Sequence, residues 1–130
     1  MGTDGMEVRE RYRDILLENI DYDVLVQNPQ IDQEQLDEIV EILVDTVCTS
    51  RKTIRIASDD FPAEVVRSRF LKLTGSHIQY VLACMKENTT RIRNIKKYLL
   101  ATLFNAPSTI SGYYQAEVNH DYPQFAVNNK

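Results

Sequence analysis

Glycine and proline are scarce in this chain, four of each. That weighs against a turn-rich sheet protein and favours helices built from its many Leu, Ile, Glu and Arg residues. No apolar run approaches the ~20 residues that a membrane-spanning helix needs. No charged start followed by a long apolar stretch marks a secretory signal. Cys48 and Cys84 each stand alone inside a helical pattern, without CxxC spacing or clustered histidine. A reduced, cytoplasmic chain is expected, with a single disulfide left open. Enzyme motifs are missing as well: there is no P-loop, dinucleotide fingerprint, HExxH or GxSxG. His77 and His120 belong to no spaced set of metal ligands. The expectation is no catalysis, no metal and no cofactor.

What is present is one domain's worth of chain, 130 residues with 43% hydrophobic and 26% charged side chains, enough for a single core. The net charge of −4 conceals a strong asymmetry. Residues 1–45 carry 13 acidic and 3 basic side chains, residues 46–98 carry 4 and 11, and residues 99–130 carry 2 and 1. Binding to a polyanion follows the local field of a patch rather than the whole-chain balance, so the middle segment is where a phosphate-binding surface is sought.

Residues 1–6 read as a leader or frayed end, residues 7–120 as a single helical domain, and residues 121–130 as a loose tail. From Glu7, the positions Val8, Tyr12, Ile15, Leu16 and Asn19 mark a first amphipathic helix. Asp21-Tyr22-Asp23 breaks it, and a short second helix ends at Asn28-Pro29. Asp32 with Gln35 forms a capping box for a third helix reaching to about Thr49. Its core stripe is Leu36, Ile39, Val40, Leu43 and Val47. Its other side shows Glu34, Glu38, Glu41 and Asp45, an acidic face that is either simply solvated, a dock for a basic partner, or a guard that keeps DNA on the other surface. Thr53–Ile56 alternates in the strand manner with no evident partner strand, so residues 52–57 are expected to be an extended connector. Asp59 and Asp60 before Phe61-Pro62 read as helix-start chemistry. A fourth helix over about 61–72 buries Val66, Phe70 and Leu73 and turns Arg67, Arg69 and Lys72 outward. Ser76 caps a fifth, with Ile78, Val81, Leu82 and Met85 inward and His77 on the surface. The sum is an all-α bundle of about six to seven helices.

The organising stretch is Thr90–Asn105. Ile92, Ile95, Leu99 and Leu103 recur at helical spacing, and at about 100° per residue Arg93 and Lys97 share the far side, with Asn94 close by. Thr90 is the expected N-cap and Pro107 the expected stop. A weaker helix over 108–119 follows, with Ile110, Tyr113, Tyr114 and Val118. Arg51, Lys52 and Arg55, then Arg67, Arg69 and Lys72, then Lys86, Arg91, Arg93, Lys96 and Lys97 supply cations for phosphate contact, with salt-sensitive and largely sequence-independent affinity. Tyr98, Tyr113 and Tyr114 are candidates either to stack on unpaired bases or to pack in the core. The nominated DNA-binding set is Arg91, Arg93, Asn94, Lys96, Lys97, Arg67, Arg69 and Lys72.

The run SRKTIRIASDDFPAEVVRSRFLKLTGSHIQYVLACMKENTTRIRNIKKYLLATLFNAPSTISGYYQAEVNHD resembles the C-terminal domain of replication initiator protein A, the RepA_N-type initiators of plasmids and integrative elements of Gram-positive bacteria. The earlier YRDILLENIDYDVLVQ is similar to the opening of that domain. The likeness covers roughly residues 8–122. Ile92, Arg93, Asn94, Tyr98, Leu99 and Leu103 also resemble the I-[KR]-N-x-x-x-Y-L-x-x-x-L pattern of DnaD-type primosomal domains. The resemblance implies a DnaD-like accessory module of replication initiation that touches DNA, recruits host proteins such as a primase or helicase loader, or both. In such initiators origin recognition resembles a winged-helix task of an N-terminal domain, which the resemblance does not cover, so autonomous origin binding is not expected of this stretch. Two other roles compete. One is a protein-interaction module using Glu34, Glu38, Glu41 and Asp45, or the apolar margin near Tyr113. The other is a homo-oligomerisation domain with Thr53–Ile56 as the pairing edge.

Overall fold

A computed structural model describes the backbone of residues 2–88 and 92–121 and the side chains of residues 5–88 and 92–110. In chain order the elements are α1 (Gly2–Asn19), α2 (Tyr22–Val26), α3 (Gln33–Val47), β1 (Thr53–Ile56), β2 (Asp59–Pro62), α4 (Ala63–Leu71), α5 (Gly75–Asn88) and α6 (Ile95–Asp121). Among the described residues the architecture is thus mainly helical with one small hairpin. None of these helices is long and apolar enough to cross a membrane. Cys48 and Cys84 are both free thiols, and burial pushes the Cys48 thiol up.

α3 sits at the centre and touches α1, α4, α5 and α6. The Asp32 carboxylate accepts from the backbone N–H groups of Glu34 and Gln35 and starts the helix, as a capping aspartate should. All five stripe residues are buried, and Ile42, Val44 and Thr46 join them. The Thr46 hydroxyl is satisfied by the Ile42 carbonyl at 2.7 Å. α3 is therefore apolar around most of its girth, as befits a central helix.

α1 begins at Gly2 instead of Glu7; Met1 lies outside the described residues. Leu16 and Ile20 are fully buried, whereas Val8 and Ile15 stay 46% and 44% exposed. The inward face is rotated from the expected stripe because Arg9 and Arg13 also point at α3. Arg13 meets Glu41 at 2.6 Å, and Arg9 meets both Asp45 and Glu41. The Arg13 guanidinium holds the Glu41 carboxyl below its usual range.

The expected unpartnered connector is in fact half of a hairpin. β1 pairs antiparallel with β2, with Thr53 opposite Pro62 and Ile56 opposite Asp59. Asp59-Asp60-Phe61-Pro62 is accordingly strand, and α4 starts only at Ala63. The Ala63 N–H reaches the Lys52 carbonyl at 2.8 Å and extends the ladder past the proline. The turn is Ala57-Ser58, and Ala57 has φ 58°, a left-handed conformation that strains an L side chain. Ala57→Gly is expected to raise stability by about 1 kcal/mol, read as a higher melting temperature by circular dichroism.

α5 is begun by Thr74, two residues before the expected Ser76 position. The Ile78 N–H bonds the Thr74 carbonyl, and His77 Nδ1 accepts the Thr74 N–H at 2.9 Å. This is one arm of a capping box with imidazole in place of carboxylate, and His77 is half-buried rather than a plain surface residue. Gly75 lies against α1: a Cβ there would stand 2.8 Å from the Ile20 carbonyl oxygen, so only glycine permits this approach. Burial holds the His77 imidazole below its ordinary value of 6.5. The unfolded chain then binds the proton at higher pH than the fold does. Stability is expected to be full above about pH 6.5 and to fall as the pH drops toward the lowered folded value, flattening below it. His77→Gln should remove this leg from a denaturation-versus-pH series. A second decline, below the ordinary glutamate value, would remain as Glu41 protonates.

Candidate nucleic-acid interface

The organising helix differs from expectation at both ends. Asn94 caps it: its Oδ1 accepts the Lys97 N–H at 3.0 Å, and its carbonyl accepts the Tyr98 N–H. Ile92 and Arg93 therefore precede α6, and Arg93 does not share a helical ridge with Lys97. Thr90 and Arg91 lie outside the described residues. Leu99 and Leu103 are fully buried, while Ile92 and Ile95 are half-buried. Tyr98 is half-buried against the core, as the packing alternative holds. α6 also runs through Pro107 to Asp121, so the expected seventh helix is its continuation. Ile110 is buried; the side chains of Tyr113, Tyr114 and Val118 lie outside the described residues, as do residues 122–130 of the expected tail.

Proline at 107 removes the N–H that would bond the Leu103 carbonyl. At the adjacent carbonyl, Phe104, the Arg69 guanidinium supplies donors from another helix: Nε at 3.0 Å and Nη2 at 2.8 Å. The same guanidinium lies 4.4 Å from the centre of the Phe104 ring. That ring in turn contacts Phe61 of β2, with centroids 4.7 Å apart. Arg67 donates through Nε to the Val47 carbonyl at 2.8 Å. Both arginines, expected outward as DNA ligands, are half-buried ties between elements. Lys72 is exposed at the end of α4.

The hairpin, anchored by Phe61 on Phe104, stands beside the start of α6 and the end of α3. Between them opens a cleft of about 360 Å³ lined by Asp45, Thr46, Thr49, Arg51, Ile54, Arg55, Asn94, Lys96, Lys97 and Leu100. Four cations converge on it from two separate stretches of chain. Arg51 follows α3, where its N–H is held by the Thr49 hydroxyl at 3.3 Å. Arg55 comes from β1 and is tied only loosely, across the hairpin, to Asp60 at 3.3 Å; exposed pairs of this kind contribute about 0–1 kcal/mol. Lys96 and Lys97 occupy the first turn of α6, where the helix dipole adds positive potential. The Asp45 carboxylate in the lining is engaged by Arg9. Of the nominated DNA-binding residues, the cleft gathers Asn94, Lys96 and Lys97. Arg93 is exposed nearby in sequence but outside the lining, and Arg67, Arg69 and Lys72 are elsewhere.

On the acidic side, Glu34 and Glu38 are exposed, but Glu41 and Asp45 are engaged by α1. The basic partner of that half of the face lies within the chain itself.

Fold and cleft together define a small helical domain bearing a cationic recess built by a hairpin and a helix start. The chain belongs to the family of unknown function designated DUF6017, whose model matches residues 1–124. No curated protein and no solved structure matches it.

Proposed function

We propose that this chain is an accessory, DNA-contacting domain of a plasmid or mobile-element replication initiator, with a DnaD-like helical core. The reading is carried by one observation: Arg51, Arg55, Lys96 and Lys97 line a single cleft with Asn94. Such a group of lysine and arginine side chains suits phosphate oxygens and gives affinity without base readout. The resemblance of residues 50–121 to the replication initiator domain supplies the biological setting. Recruitment of a host primase or helicase loader belongs to the same reading and would use the exposed remainder, Glu34 and Glu38 included.

The test is fluorescence anisotropy of labelled oligonucleotides of unrelated sequence at low and moderate salt. Four phosphate contacts imply a loss of affinity between 50 and 200 mM salt of roughly fiftyfold for a single strand and roughly 150-fold for a duplex. Absence of binding at low salt would overturn the proposal. A role confined to protein partners has weaker support, because Glu41 and Asp45 are engaged by Arg13 and Arg9. Oligomerisation through Thr53–Ile56 is likewise less supported, since one edge of that strand pairs with β2.

A further inference from the structure

We infer that the cleft accepts one unpaired nucleotide of a single strand, its base against Ile54 and Leu100 and its phosphates among the rim cations. This rests on reading the cleft as a nucleic-acid surface. The lining is graded by exposure: Arg51, Arg55, Lys96 and Lys97 are exposed, whereas Ile54, Leu100 and Thr49 are half-buried, the Thr49 hydroxyl being taken up by the Arg51 N–H. The Thr46 hydroxyl is satisfied within its own helix, so it adds no polar demand to the floor. A volume of about 360 Å³ falls at the small end of the ~300–1,000 Å³ range of ligand clefts, suited to a single nucleotide.

A duplex presents phosphates outward and keeps its bases stacked and paired inside. It would engage the rim and leave the apolar floor uncovered. An unstacked base covers those aliphatic side chains while its flanking phosphates remain within reach of the cations; the cationic track is shared with other single-strand grooves, and apolar contact with Ile54 and Leu100 stands in for an aromatic platform. Asp45 would oppose a phosphate near the end of α3, but Arg9 offsets its charge.

The experiment compares the full chain with a labelled single strand and with its own duplex at the same low salt. The single strand is expected to bind roughly tenfold tighter or more. Ile54→Ala and Leu100→Ala should each weaken single-strand binding about fivefold and leave duplex binding unchanged. Equal affinity for the two forms, unmoved by either alanine, would overturn the inference while leaving the cationic surface standing. No binding to either at low salt would overturn both. A free mononucleotide that competes as well as the strand would overturn the assignment to a strand. Circular dichroism melting shows whether the alanine variants fold; if they do not, the wild-type comparison and the competition decide alone.

Discussion

Lys96→Glu/Lys97→Glu is expected to reduce oligonucleotide affinity about 100-fold or more at low salt. Each replacement removes a cation from the cleft rim and installs a like charge against phosphate, so the pair changes the local charge by about four. Both side chains are exposed and sit in the first turn of α6, where glutamate is favourable to the helix dipole by about 0.3–1 kcal/mol. Thermal stability should therefore hold or rise slightly while binding collapses, which separates loss of the surface from loss of the fold. Lys72→Glu makes the matching control. It alters an exposed cation outside the cleft and should shift affinity less than threefold or so by general charge alone. Because Lys72→Glu makes half the charge change of the double variant, equal losses per unit of charge in the two would mean that net charge matters and the cleft does not.

The second large effect concerns stability. Arg69→Ala should cost about 3 kcal/mol, since it deletes two charge-assisted hydrogen bonds to a carbonyl and a stacked cation. For a domain of this size that lowers the melting temperature by roughly 11 °C. The lost contacts join α4 to α6, and the Phe104 ring they hold also seats Phe61 of the hairpin. Arg69→Lys keeps the charge but not the planar fork and should fall between wild type and alanine. Arg67→Ala, which loses one bond to Val47, should cost less than Arg69→Ala. An Arg69→Ala protein as stable as wild type would show that the carbonyl of Phe104 is adequately served by its own helix.

Much of the helical frame was legible because its signals are local. Asp32 caps α3 as its spacing requires, and Leu36, Ile39, Val40, Leu43 and Val47 are buried as their period demands. Ile78, Val81, Leu82 and Met85 behave the same way in α5. Of the hairpin, the strand character of Thr53–Ile56 was legible, but its pairing was not, since the turn is Ala57-Ser58 without glycine or asparagine and β2 is Asp-Asp-Phe-Pro. Both contradict strand and turn preferences, and contacts of Ile56 and Phe61 with the core override them. The arginines misled for a related reason. Arg9, Arg13, Arg67 and Arg69 carry the same charge as solvent-facing residues, and only tertiary partners tell them apart. Of the candidate site, Asn94, Lys96 and Lys97 were nominated from sequence. Arg51 and Arg55 appeared there only as members of a cationic run, because the hairpin that brings Arg55 to the cleft was not foreseen.

The passage of α6 through Pro107 has a bearing on how the chain acquires its shape. A proline inside a helix disfavours it by about 3 kcal/mol, so a peptide of residues 95–121 alone should break near residue 107. Arg69 arrives from α4 and serves the Phe104 carbonyl, one residue beyond the Leu103 carbonyl that the proline leaves without its helical donor, and so ties α4 to the rod just before Pro107. Continuity of this helix past the proline is thus expected to lean on the docking of its neighbours as well as on its own sequence. Opening of α4 and fraying of α6 beyond the proline should occur together, and amide hydrogens of residues 108–121 should exchange with deuterium at the rate at which α4 undocks.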